Sequence, residues 1–270
     1  MSAFSEGALF AEIRQKVYSP EYYEYPFTIE YSFNTTYSGL LAYPSFVPIY
    51  TYGLSVEKSE YRIIVPASNE LRYLLVNTQE EPSIQQLDDK NLYKWKFESL
   101  KAYKNEDYDC WLIDMVPMVR TAPVSFEMDG YPGNMTSWES FGDWIALLNN
   151  GRDELPPSAI SEVKKITNGL ETKREKVKAV YEYMQSKTRY VNVIIGIGGW
   201  QPFSAEDVDK NGYGDCKALT NYTYALLKAI NIESIYTLIR AGENSSPIYD
   251  EFPSNQFNHA ILCVPIPHED

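Results

Sequence analysis

Few residues of this chain could do covalent chemistry. It holds two histidines, His259 and His268, and three cysteines, Cys110, Cys216 and Cys263. Cys216 stands apart because Gly212-Tyr213-Gly214-Asp215 delivers it to the start of an apolar-periodic run, Leu219, Thr223, Leu226, Leu227 and Ile230. That spacing predicts a helix beginning at or near Cys216. A helix N-terminus carries about half a positive charge and unpaired N–H groups, which favour a thiolate. The same N–H groups, that of Cys216 included, point to where a tetrahedral oxyanion would form. Gly214 permits close backbone approach, and Asp215 is the natural N-cap. The Asp215 carboxylate also opposes a thiolate, so a basic partner is needed.

His259 is the candidate base. It lies in Phe257-Asn258-His259-Ala260-Ile261-Leu262-Cys263, a strand pattern in which it shares a face with Phe257, Ile261 and Cys263, whereas His268 lies in a Pro-rich tail. Singly, such a cysteine is a small packed hydrophobe and such a histidine a bonded core residue. Together they have the layout of a Cys–His pair, nucleophile on a helix and base on a strand. The upstream loop Gly196-Ile197-Gly198-Gly199-Trp200-Gln201-Pro202 is a poor phosphate cradle. The residues from Pro202 to Asp209 do not open a helix directly, carry Glu206, Asp207 and Asp209, and lack the Lys-Ser/Thr of a P-loop. Either Trp200 packs on the core, or Trp200 or Gln201 lies beside the cysteine and gives an N–H to the oxyanion.

The elements that must hold this pair follow from periodicity. Phe27, Ile29, Tyr31 and Phe33 alternate with polar residues as in a half-buried strand, and residues 61–65, 71–77, 92–98, 111–116 and 124–129 are short β-branched and aromatic runs. Strands without helical periodicity between them predict an antiparallel sandwich. The period then changes: Trp138, Phe141, Ile145 and Leu148 mark a helix ended by Asn149-Asn150-Gly151. Pro156-Pro157 enters a further helix, with Ser158 as its expected cap and a domain boundary near residue 155. Thr172 with Glu175 forms a capping box for a helix to about Lys187. Strands at 190–195, 233–240 and 257–264 complete the second half.

Composition excludes several classes. With 270 residues, 44% of them hydrophobic, the chain can bury a core, and a net charge of −13 without a long basic run argues against nucleic acid and anionic membrane as partners. No apolar stretch reaches the length of a membrane span, so no membrane insertion is expected. An odd cysteine count without CxxC spacing argues against a disulfide framework or zinc site, and His268-Glu269-Asp270 lacks a second cluster to complete a metal site. The sequons at Asn34, Asn134, Asn221 and Asn244 and the 23 tyrosines are read as ordinary surface and packing residues.

The segments GYGDCKALTNYTYALLKAINIES and FNHAILCV closely resemble the Cys and His motifs of transglutaminase-like proteins, within an ordered set of elements over residues 158–264. The resemblance implies a papain-like core in which Cys216 matches the family nucleophile and His259 the family base. The β-rich half resembles the uncharacterised domain preceding such cores in bacterial cell-envelope proteins. The expected fold class is therefore α+β, a sandwich-like domain over 1–155 with its closing helix, then a transglutaminase-like domain over 156–270. The expected function is acyl cleavage or transfer on peptide, protein or other amide substrates through a Cys216 thioester, hydrolysis favoured. The alternatives are an inactive binding or scaffold module, or a small-molecule acyltransferase. No cofactor and no calcium site are implied. The family likeness also implies a periplasmic or extracellular bacterial protein whose signal segment is absent from this chain. In such proteins an acid on the strand after the histidine orients the imidazole. Glu269 and Asp270 read as turn residues instead, so the domain is expected to be truncated, His259 to lack a carboxylate partner, and activity to be weak or absent.

Overall fold

Chain contacts divide the protein into two units whose limits cut across the sequence: Gly39–Trp144 with Arg240–Asn258, and Met1–Ser38 with Ile145–Ile239 and His259–Asp270. The computed structural model describes residues 8–11, 21, 24–36, 39–106, 110–242 and 247–266. The first elements are β1 (Ala8–Ala11), β2 (Val56–Pro66), β3 (Leu71–Val76), β4 (Ser83–Leu87), β5 (Lys90–Leu100) and α1 (Leu112–Met115). Next come β6 (Met118–Pro123), β7 (Ser125–Met128), β8 (Tyr131–Asn134), α2 (Trp138–Asn149), α3 (Pro157–Ile166) and α4 (Lys173–Lys187). The remainder are β9 (Arg189–Tyr190), β10 (Asn192–Ile194), α5 (Ala205–Asn211), β11 (Tyr213–Gly214), α6 (Cys216–Ala229), β12 (Ile235–Ile239) and β13 (His259–Cys263).

The first unit is an antiparallel sandwich. One sheet has the order β2-β5-β4, and β3 pairs with β6 in another. Alternation on β2 turns Ile63 and Val65 inward and leaves Ile64 exposed, and β5 turns Trp95 and Phe97 inward. These residues meet Leu71 of β3 and Val119 of β6 in one core cluster. Trp95 is fully buried at its centre, with the Tyr61 ring 5.6 Å away and Tyr73 edge-on at 5.4 Å. Residues 240–258 fold with this unit: Arg72 donates to the Pro253 carbonyl at 2.8 Å, and Gln256 accepts from Arg120 at 3.0 Å.

The second unit is built on α6. Ala218, Tyr222, Ala225, Leu226 and Leu227 of this helix are buried against Val163 of α3, Val180 and Met184 of α4, and Ala205 and Val208 of α5. The β12–β13 hairpin, in register from Ile235↔Cys263 to Ile239↔His259, adds Leu262 to the same core. The expected capping box on α4 is present, Thr172 accepting from the Glu175 amide at 3.1 Å and Glu175 from the Thr172 amide at 2.9 Å.

Four local expectations differ from the structure. Residues 27–33 form no strand, and Ile29, Tyr31 and Phe33 are exposed; alternation needs a ladder partner, and none pairs with this run among the described residues. The 111–116 run contains the single turn α1, because a short apolar run does not distinguish strand from helix. Pro156, not Ser158, occupies the N-cap of α3, with Pro157 at the position where its missing N–H costs nothing. A helix, α5, opens within 202–209, capped by the Ser204 hydroxyl on the Asp207 amide at 3.1 Å. By chain contacts alone, the change of unit falls inside α2, between Trp144 and Ile145.

Candidate active site

Cys216 occupies the first turn of α6, and each residue before it contributes to that placement. Gly212 closes α5 in the left-handed region at φ 68°, which a side chain would resist. Gly214 packs so closely on α6 that a Cβ there would lie 2.8 Å from the Ala218 Cβ. Asp215 is extended and caps the helix, its carboxylate accepting from the Ala218 amide at 3.0 Å. Its other oxygen receives the Lys217 ammonium at 2.5 Å, and both side chains are buried. Lys217 thus neutralises the carboxylate that would otherwise oppose a thiolate one residue away.

A parallel ladder fixes the other side of this turn. β9 pairs with β11 so that Gly214 faces Tyr190, secured by the Val191 amide on the Gly214 carbonyl at 2.9 Å. Tyr190 interacts with the backbone amide and the thiol of Cys216; burial first, then the charges of Cys216 and Asp215, hold its phenol above the ordinary tyrosine value. Tyr236 of β12 is half-buried, and burial first, then the charges of Cys216 and Asp215, raise its phenol as well. Sequence reasoning missed both tyrosines and Lys217. The Gly-Asp-Cys-Lys string could have drawn attention to Lys217, but the strand expected at 190–195 carries no signal that singles out Tyr190 as a neighbour of Cys216.

His259 is the first residue of β13, half-buried and laterally opposite Ile239. The strand lies along α6, where the Thr220 hydroxyl, one turn beyond Cys216, donates to the Ala260 carbonyl at 3.3 Å. Alternation puts buried Ala260 toward the helix and groups His259 with the exposed Ile261 and Cys263. Cys216 and His259 therefore stand on packed neighbouring elements, with His259 on the strand face opposite the one that Ala260 turns to α6. Among the described residues no hydrogen bond joins them, and no side chain hydrogen-bonds to the His259 ring. Glu269 and Asp270, expected to be turn residues, and His268 lie outside the described residues.

Comparison with known proteins bears on the frame that holds these groups. A family model described as a domain of unknown function with a solved structure, DUF3857, matches residues 2–104. A solved structure named "putative protease" from Parabacteroides distasonis is similar at a TM-score of 0.57 and 14% identity, over 82% of this chain and 41% of that one. This is a protease-like fold. The chain spans about two fifths of that protein's length. A "putative cysteine protease" from Cytophaga hutchinsonii aligns over 78% of this chain and 65% of its own, at 14% identity and a TM-score of 0.33. No curated protein matches.

Within the protease-like fold, the Gly196–Gly199 stretch is a 3₁₀ turn, and the Trp200 and Gln201 amides both close on the Ile197 carbonyl at 2.8 Å. The Gln201 side-chain amide accepts from Arg152 at 2.7 Å and donates to the Leu148 carbonyl at 3.2 Å. These bonds tie the loop to the end of α2, and no described hydrogen bond brings Gln201 to Cys216. Asn221 is 2% exposed and donates to the Arg152 carbonyl at 2.7 Å, so this sequon is a buried structural amide. Among the described residues no group of three or more His, Cys, Asp or Glu side chains could hold a metal ion.

Proposed function

We propose that this chain carries a transglutaminase-like cysteine active site acting on peptide or other amide carbonyls, with Cys216 as nucleophile and His259 as base. One observation carries the reading: Cys216 opens a helix whose cap, Asp215, is itself neutralised by the buried Lys217. The helix N-terminus then acts on the sulfur with the opposing Asp215 charge offset by the Lys217 ammonium. In the proposed reaction the sulfur, its proton taken by His259, forms a bond to the carbonyl carbon. The carbonyl electron pair moves to oxygen, where the first amides of α6 stabilise it. Collapse breaks the C–N bond, His259 protonates the leaving amine, and water resolves the thioester to a carboxylate. Hydrolysis is favoured over transamidation because water needs no acceptor-amine channel. The protease-like fold supports this chemical class.

Competitive alkylation tests the reading. Iodoacetamide at neutral pH should modify Cys216 well ahead of the exposed Cys110 and Cys263. A panel of peptide, glutaminyl and cell-wall amides should then give turnover that Cys216→Ala abolishes. A second reading, an inactive scaffold of the same fold, is favoured by the unpartnered His259 ring among the described residues. Equal or slower alkylation of Cys216 would establish it.

A further inference from the structure

We propose that the Tyr190 hydroxyl is the second donor of the oxyanion site at Cys216, acting beside the Cys216 backbone N–H. The proposal rests on Cys216 being the nucleophile and names the group that would share the charge its attack creates. The geometry comes from the β9–β11 ladder. Arg189 donates to the Gly212 carbonyl at 3.1 Å and Val191 to the Gly214 carbonyl at 2.9 Å, so Tyr190 is held laterally opposite Gly214. Facing residues of a parallel pair project to the same side. From Gly214 that side is the first turn of α6, since a Cβ there would meet Ala218 at 2.8 Å and Leu219 at 3.4 Å. The Tyr190 ring therefore rises over the turn that bears Cys216, and its hydroxyl interacts with the Cys216 amide and thiol.

A phenol in that position has the properties an oxyanion donor needs. Burial first, then the charges of Cys216 and Asp215, raise its phenol above the ordinary tyrosine value, so its protonated, donating form is favoured. At 52% exposure it is open to substrate. Gln201, which with Trp200 is one of the two donors expected from sequence, is engaged by Arg152 and Leu148. As the Cys216 sulfur attacks, the S–C bond forms and the carbonyl π pair moves to oxygen. Tyr190 donates a hydrogen bond to that oxygen and keeps its proton. On collapse the C=O bond re-forms and the leaving group departs with its bonding pair.

Two electrophiles separate this role from a structural one. p-Nitrophenyl acetate forms a tetrahedral oxyanion on attack by the thiolate, whereas iodoacetamide alkylates by direct displacement at carbon and forms none. Tyr190→Phe keeps the ring, and its melting curve by circular dichroism should overlay that of the parent. The expected result is a fall of roughly 100- to 1,000-fold in the Cys216-dependent burst with p-nitrophenyl acetate, and an iodoacetamide rate within about twofold of the parent. Parallel loss with both reagents, or no loss with either, would overturn the donor role while leaving Cys216 as nucleophile. If Cys216→Ala reacts with both reagents like the parent, the nucleophile assignment fails, and this inference with it.

Discussion

Lys217 reaches back over the first turn of α6 to pair with Asp215 at 2.5 Å, with both side chains buried. The pair frames Cys216 on either side in sequence, so the nucleophile position sees a carboxylate and an ammonium together. Lys217→Met should leave an uncompensated buried carboxylate and cost about 3–5 kcal/mol in urea unfolding. It should also slow Cys216 alkylation. Adding Asp215→Asn should recover much of that stability, because the cap oxygen remains while the stranded charge goes. A double variant no more stable than Lys217→Met would contradict the pairing argument.

Gly214→Ala tests how tightly β11 is seated on α6. The new Cβ would lie 2.8 Å from the Ala218 Cβ, so the helix start must shift. The expected cost is about 1–3 kcal/mol, with slower alkylation of Cys216. Ala218→Gly added to it should relieve the overlap and restore the alkylation rate even if stability stays low.

Gln201→Ala separates an anchor from an oxyanion donor. Losing the bonds to Arg152 and Leu148 should cost about 1–3 kcal/mol. The Cys216-dependent burst with p-nitrophenyl acetate should stay within about threefold. A fall of a hundredfold with unchanged stability would return Gln201 to the chemistry.

Tyr73 links alkaline stability to one hydrogen bond. Its hydroxyl donates to Glu81 at 2.7 Å, and that bond first, then burial, raises the phenol from 10.0 to about 12. Above pH 10 the unfolded chain loses this proton while the native state keeps it, so stability is full below pH 10 and falls as pH rises toward 12. Tyr73→Phe should flatten that part of the pH profile, as read by urea midpoints between pH 9 and pH 11.5. An unchanged slope would show that other groups govern it.

The parts of the site legible in sequence were those with local signals. Gly-Asp-Cys followed by helical periodicity located Cys216 and its Asp215 cap, and Thr172 with Glu175 located the start of α4. What escaped depended on partners distant in sequence or on burial without alternation. Strand β6 is buried along nearly its whole length, so period-2 reasoning passed over it, and β4 is exposed throughout, Ile84 and Leu87 included, so no buried face marks it. Residues 27–33 carry the alternation and lack a described partner strand. Tyr190 was invisible because its meaning lies in one lateral pairing with Gly214.

The interrupted make-up of the sandwich unit has a consequence for how the protein is made. Arg72 waits for a carbonyl 181 residues further along the chain. At roughly 5–20 residues per second that is a delay of about ten to forty seconds. Trp138, whose indole donates to the Asp250 carbonyl at 2.6 Å, and Phe141, which stacks on Phe257, also wait for this late segment. The ribosome therefore finishes the strands of the sandwich long before it supplies the piece that covers them, and it makes the helices around α6 in between. A nascent chain stalled after α6 would present the uncovered aromatic rings of Trp138 and Phe141 to chaperones, and residues 156–270 expressed alone would carry Phe252 and Phe257 without the partners they pack on.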